Sequence, residues 1–120
     1  MEIEEAIADD GVMVLRPHGR LDMRSAQSLR ERLTQLAADG KVRIVIDLES
    51  VRFMDSSGLS ALISGLKSVR QGAGDLRIAR PGEQVRLVLQ ATQLDRVLKL
   101  YDTIEEAVRG LIEAASDPRG

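Results

Sequence analysis

Residues 42–48, with the sequence VRIVIDL, restrict the possible folds more than any other stretch of the chain. A strand with one face in water alternates apolar and polar residues, whereas this run is apolar and β-branched nearly throughout. Such a run is typical of a strand that is covered on both faces, as in a parallel sheet. The sequence therefore predicts a buried strand at the centre of an α/β domain.

Two short apolar runs, at residues 3–8 and 12–16, precede this strand. The residues between them are DDG, and an Asp-Gly step between two such runs is the usual signal for a hairpin. Pro17 and Gly19 end the second run. We therefore expect an antiparallel hairpin at the start of the domain.

The segment between the hairpin and the buried strand predicts a helix. Asp22 can serve as its N-cap, and the helix is expected to run to about Ala38. Its apolar residues recur at steps of three and four and so share one face: Ala26, Leu29, Leu33 and Leu36.

After the buried strand, helices and strands continue to alternate. Residues 55–57 begin a second helix with a buried stripe, and residues 71–74 end it. A short strand is predicted at 76–79, followed after Pro81-Gly82 by a helix with Val85, Val88 and Leu89 on one side.

A last edge strand is predicted within residues 98–101. Thr103 and Glu106 then form the pattern of a capping box for a final helix. Its inward face is predicted to carry Ile104, Ala107, Val108, Leu111, Ile112 and Ala115.

We therefore expect one α/β domain over residues 1–115, followed by a flexible tail at 116–120. Right-handed crossovers in this order of elements give a mixed sheet of four to five strands packed by about four helices.

The composition argues against nucleic acid as a direct partner. Reading single strands usually requires aromatic side chains, and binding the phosphate backbone requires a positive surface. Phe53 and Tyr101 are the only aromatic residues, and 17 basic residues face 19 acidic ones, for a net charge of −2.

The residues and segments that the sequence lacks argue against several other classes of protein. The chain has no cysteine, so disulfides and thiolate metal sites are excluded. The first residues, MEIEE, are acidic where a signal peptide is basic, and no stretch approaches the roughly 20 apolar residues that span a bilayer. We expect a cytoplasmic protein without membrane insertion.

Residues 53–59, with the sequence FMDSSGL, form the most informative motif. They place hydroxyl side chains where a strand turns into a helix, and there free backbone N–H groups and the positive end of the helix dipole face outward. A phosphate attached at this point would add about −1.5 to −2 charges and three acceptor oxygens.

At this motif the sequence resembles the STAS-domain family, specifically the bacterial anti-sigma factor antagonists. Further segments are similar to the family pattern: GRLD at 19–22, IDL at 46–48, Val51, and the stretch 81–98. Arg20 stands where the family commonly has an acidic residue, which bears on the choice of partner.

The resemblance implies a partner switch in a protein that is not an enzyme. Family members bind a serine kinase-type anti-sigma factor and so release its sigma factor. The kinase phosphorylates the first hydroxyl after the Asp, which here is Ser56, and a metal-dependent serine phosphatase resets the protein. A monomer is the default expectation.

The predicted partner surface surrounds Ser56 and comprises Asp22, Asp55, Ser57, Gly58, Leu59, Ser60 and Ser64. Simpler interpretations stay open: Ser56, Asp22 and Asp55 are all residue types that cap helices. Ser57 is an alternative acceptor, and Leu59 also fits a core position.

No catalytic, cofactor or metal site is predicted. The single histidine, His18, would have to reach Ser56 or Ser57 to form a triad, and the G-x-S-x-G elbow is absent. Gly72 and Gly74 belong to a turn, because the third glycine of a dinucleotide loop is missing. The competing functions are a constitutive scaffold or regulatory subunit of a transporter or signalling complex, and a small-ligand or nucleotide sensor.

Overall fold

The computed structural model describes residues 1–116 and the side chains of residues 1–115. Within that range the elements are β1 Ile3–Ile7, β2 Met13–Pro17, β3 Gly19–Leu21, α1 Ala26–Ala38, β4 Arg43–Asp47, β5 Val51–Met54, α2 Ser56–Gln71, β6 Asp75–Ala79, α3 Glu83–Ala91, β7 Leu100–Tyr101 and α4 Ile104–Ser116. Ser116, the first residue of the predicted tail, is the last residue of α4, and the rest of that tail, 117–120, lies outside the described residues.

The main sheet has five strands in the order β1-β2-β4-β6-β7. β1 and β2 form the predicted antiparallel hairpin, with Ile3 opposite Pro17, and a 3-10 turn at Asp9–Gly11 joins them. Asp10 and Gly11 both have positive φ angles, which suits the Asp-Gly step. All other neighbours in this sheet are parallel, so the predicted mixed sheet is confirmed.

The central strand β4 is covered on both faces, as its composition predicts. Ile44 and Ile46 belong to the larger core cluster, which α1 and α2 also line, whereas Val45 belongs to a second cluster with residues of α4. All three side chains are fully buried. The sheet therefore lies between α1 and α2 on one side and α4 on the other.

A second, two-stranded parallel sheet formed by β3 and β5 was not predicted. The local pattern ends the hairpin at Pro17 and Gly19 and predicts no strand between residue 48 and the start of the second helix. Both strands are short and are separated by α1 and β4. Their pairing is thus a non-local contact that a local pattern does not reveal.

The start of α1 also differs from the prediction. The helix begins at Ala26, with Ser25 at the N-cap position, so Asp22 is not its cap. Instead the Asp22 carboxylate accepts a hydrogen bond from Arg24 N at 3.0 Å and lies 3.6 Å from the Arg20 guanidinium. Asp22 therefore closes a turn between β3 and α1.

The last helix carries most of its predicted inward face. Ala107, Val108 and Leu111 are buried, but Ala115 is exposed, which corrects that part of the prediction. Thr103 Oγ1 accepts a hydrogen bond from Glu106 N at 3.1 Å, so the predicted threonine cap is present. None of the helices in the described range is long and apolar enough to cross a membrane.

Candidate functional site

The small sheet places the FMDSSGL motif. β3 and β5 run in parallel and end with Leu21 beside Met54, and both side chains are buried. Asp55 N then donates a hydrogen bond to Leu21 O at 3.3 Å, so the chain remains attached to β3 as it enters α2. A backbone hydrogen bond therefore ties the start of α2 to the end of β3.

Asp55 is the residue that caps α2. Its backbone is extended, and its Oδ1 accepts hydrogen bonds from Ser57 N at 2.9 Å and from Gly58 N at 3.2 Å. These are the donors that a helix start leaves unpaired. The sequence left open whether Ser56 caps the helix, and in the structure Asp55 does so.

Ser56 is the first residue of α2, and its side chain is exposed. Within the described part of the chain, its hydroxyl has no hydrogen-bond partner. Ser57, the alternative acceptor, is only partly exposed. Of the two hydroxyls at this turn, that of Ser56 is the more accessible to another protein.

Gly58 and Leu59 lie beneath this surface. Both are buried, and a Cβ built on Gly58 would lie 2.5 Å from Leu21 O and 2.9 Å from Met54 Cγ. The absence of a side chain at Gly58 thus allows α2 to pack directly on the ends of β3 and β5. Both residues were expected in the partner surface, and the structure buries both of them.

Ser56, Ser60 and Ser64 follow one another at intervals of four residues, so they form a row along α2. Ser60 is exposed and Ser64 is half-buried. The structure therefore brings these three predicted residues onto one helix face.

A groove of about 440 Å³ runs between the start of α1 and the start of α2. Its lining includes Ser56, Ser57 and Ser60 from α2, and Met23, Ala26, Gln27 and Arg30 from the other side. Arg30 Nη2 donates to Ser60 Oγ at 3.3 Å. The groove is shallow and mixes hydroxyl, apolar and cationic groups.

Three residues beside the motif were not included in the predicted partner surface. Met23 is 79% exposed, and Arg30 reaches across to Ser60. The Arg20 guanidinium lies 4.1 Å from the centre of the Phe53 ring. The sequence could have indicated Arg20, which lies within the GRLD segment, and Met23, which follows it. Arg30 becomes a neighbour of the motif only through the packing of α1 on α2.

His18 takes no part in this site. Its Nε2 lies 3.0 Å from Glu4 Oε1, so the imidazole pairs with a carboxylate of β1. Glu2 completes a group of three side chains whose potential ligand atoms lie within 4.8 Å of one another. Glu2 and Glu4 are exposed, and surface carboxylates commonly gather without a metal.

Comparison with known proteins gives a family match over most of the chain. The STAS domain profile matches residues 5–107 of the chain. A candidate anti-sigma factor antagonist of Thermotoga maritima is 33% identical over 100 residues, which cover 82% of this chain and 88% of that protein. Its crystal structure superposes with a TM-score of 0.85 over 91% of this chain and 93% of the other.

The anti-sigma-F factor antagonist RsfB of Mycobacterium tuberculosis is 32% identical over 110 residues, covering 91% of this chain and 89% of RsfB. The phosphorylated form of SpoIIAA from Bacillus has a TM-score of 0.71 at 24% identity, over 90% of this chain and 97% of that one. At that identity the likeness extends to the fold alone.

Proposed function

The chain belongs to the STAS domain family, and we propose that it is an anti-sigma factor antagonist whose binding to its partner is controlled by phosphorylation of Ser56. The proposed partner is a serine kinase-type anti-sigma factor in the cytoplasm, and a metal-dependent serine phosphatase would restore the binding form. In this proposal the chain is the substrate of the kinase and has no catalytic activity of its own.

One observation carries the proposal: the Ser56 hydroxyl is exposed, and among the described residues it has no hydrogen-bond partner, at a helix start whose cap is supplied by Asp55. A kinase must reach the acceptor oxygen, and a hydroxyl that is engaged in capping would first have to be released. The relatives that are about a third identical and named anti-sigma factor antagonists support the same function.

The surroundings of Ser56 favour a protein partner. The groove beside it is shallow and joins the exposed Met23 side chain to the serine row of α2. Small-molecule sites usually bury most of their ligand, whereas protein interfaces use open surfaces with exposed apolar anchors. We therefore assign Met23, Ser56 and Ser60 to the docking surface.

Phosphorylation changes the charge at the centre of this surface. The phosphate would lie beside Asp55 and near Asp22, and a docked partner would have to bury it close to these carboxylates. A hundredfold loss of affinity requires only about 2.7 kcal/mol. Repulsion and lost hydration within one interface are large enough to supply it.

The test is phosphorylation of the purified protein by its cognate kinase with ATP, read by intact mass. The wild-type chain should gain one phosphate, and Ser56→Ala should gain none. Ser68→Ala is the matched control, because Ser68 is a partly exposed serine of α2 that lies outside the docking surface, and this variant should gain one phosphate as the wild type does. Phosphate on Ser56→Ala, or none on the wild type, would contradict the proposal.

Binding to the kinase provides the second measurement. Ser56→Ala should bind persistently in the presence of ATP, whereas Ser56→Asp should bind at least tenfold more weakly than the wild type. If the phosphorylated and unphosphorylated chains bind equally, the domain is a constitutive scaffold and the switch is excluded.

A further inference from the structure

A second, larger cavity lies at the far end of α2. It encloses about 990 Å³, within the upper range of small-molecule pockets. Arg70 lines it, and Arg70 is 14 residues along α2 from Ser56, or about 21 Å at the helical rise. The cavity is therefore separate from the proposed docking surface.

The lining of this cavity is strongly charged and has a positive excess. Its acidic members are Asp75, Glu106 and Glu113. Five cations line the same space, so the lining carries a net charge of +2 in a chain whose overall charge is −2: Arg43, Arg70, Arg77, Lys99 and Arg109. Positive charge is thus concentrated here.

Asp75 cannot neutralise the arginines around it. Its Oδ1 lies 3.3 Å from Arg70 Nε, and its Oδ2 lies 3.3 Å from Arg77 Nε. Arg43 is its partner across the β4–β6 ladder. One carboxylate is therefore shared between two guanidinium groups, with a third cation on the neighbouring strand.

Arg77 is the strongest indication of a ligand. Its side chain is only 7% exposed, yet it lines the cavity. Nε donates to Asp75, and Nη1 donates to the Tyr101 hydroxyl at 2.6 Å. A guanidinium has five N–H donors, so three are left without a partner within the described residues. Arg77 contributes none of the buried polar atoms that lack a partner among the described residues, so these three donors reach the cavity and are not sealed in the core.

Tyr101 and α4 hold Arg77 in place, and Tyr101 and Gly110 line the same cavity. Gly110 of α4 leaves room for the Tyr101 hydroxyl and for Arg77 Nη1, which lies 3.0 Å from where a Cβ of residue 110 would be. A side chain at this position would displace the pair. Gly110 thus allows α4 to close over Arg77 while its free donors remain accessible from the cavity.

We propose that this cavity is a binding site for a small oxyanion with at least two negative charges, of the phosphate or carboxylate class. Planar guanidinium groups bind both classes in a bidentate manner. Arg77 would form the floor of the site, and Lys99 and Arg109 would contact the ligand at the rim. The inference stands independently of the function proposed for Ser56.

The test is titration of the 15N-labelled protein with pyrophosphate and, separately, with citrate, at constant ionic strength set by NaCl. Amide shifts should cluster at residues 74–77, 99–101 and 109–111 and should saturate. Saturation by pyrophosphate alone assigns the phosphate class, and saturation by citrate alone assigns the carboxylate class. Lys99→Gln and Arg109→Gln should each weaken binding about three- to tenfold, the loss expected for one charged contact.

Arg52→Gln is the matched control, because Arg52 is an exposed arginine on β5 that does not line the cavity. It should bind both probes as the wild type does. The proposal is overturned if neither probe produces saturating local shifts. It is equally overturned if the Lys99 and Arg109 variants bind as tightly as Arg52→Gln.

Discussion

The side-chain amide of Gln84 on α3 makes two hydrogen bonds with the backbone of Met54, the last residue of β5. Met54 N donates to Gln84 Oε1 at 2.9 Å, and Gln84 Nε2 donates to Met54 O at 3.0 Å. The amide thus takes the place of a neighbouring strand. It fixes the backbone immediately before Asp55 and so helps to position the start of α2.

Gln84→Ala is therefore expected to lower the free energy of unfolding by about 1–3 kcal/mol, because it leaves partly buried backbone groups of Met54 unpaired. Urea denaturation measures the change. Gln90→Ala is the control on the same helix, since Gln90 is exposed. Equal stability of the two variants would show that the Gln84 amide contributes nothing.

Gly58→Ala should be destabilising by about 2–3 kcal/mol, since the new Cβ would lie 2.5 Å from Leu21 O and overpack the junction between α2 and β3. Gly82→Ala is the comparison, because Gly82 has open space around it and a φ of −70°. Its cost should stay within about 1 kcal/mol. A thermal shift no larger for the Gly58 variant than for the Gly82 variant would contradict the packing role.

Substitutions of Asp55 and of Ser56 should have different effects on stability. Asp55→Ala removes the cap of α2 and is expected to cost about 0.5–2 kcal/mol, whereas Ser56→Ala should change the unfolding free energy by less than about 0.5 kcal/mol. Asp55→Asn, which retains an acceptor oxygen, should recover most of the loss. A large destabilisation by Ser56→Ala would show that the serine side chain contributes to the cap.

Glu5 and Arg32 should contribute a pH-dependent term to stability. The Arg32 guanidinium donates to both oxygens of the carboxylate, at 2.5 and 2.7 Å, and this bonding lowers the pKa of Glu5 below its ordinary value of 4.5. A carboxylate whose pKa is lower in the folded state stabilises that state at higher pH. Its contribution is lost as the pH falls through the folded pKa.

A double-mutant cycle with Glu5→Gln and Arg32→Gln measures this term. Both side chains are partly exposed, so we expect a coupling energy of a few tenths to about 1 kcal/mol at neutral pH. The coupling should approach zero once Glu5 is protonated. A coupling energy that persists unchanged at pH values below the titration of Glu5 would contradict the assignment.

Much of the architecture could be predicted from local patterns. The apolar run at 42–48 identified the doubly covered strand β4, and the DDG step identified the hairpin turn. Both signals depend on residues that are adjacent in the sequence. Consecutive β-branched and apolar residues indicate the strand, and residues that readily adopt positive φ angles indicate the turn. The threonine cap of α4 was readable for the same reason.

The features that could not be predicted depend on contacts between distant segments. In the sequence, Gly58 is only a residue with few backbone restrictions near a helix start. The contact with Leu21 in the folded structure shows why it is buried. Arg77 looks like an ordinary polar residue of a strand until α4 closes over it. Gln84 offers no signal at all, because its partner is the backbone of Met54, 30 residues away.

The hydrogen bonds that Asp55 makes to the first turn of α2 also bear on how proteins of this kind can diverge. Among the described residues, the Asp55 carboxylate caps the helix and the Ser56 side chain makes no hydrogen bond to it. Replacing the Ser56 hydroxyl by a methyl group or a carboxylate, which takes one or two nucleotide changes in one codon, is therefore expected to leave the fold intact. Under the function proposed above, forms of the domain with and without a modifiable residue 56 differ by this one substitution.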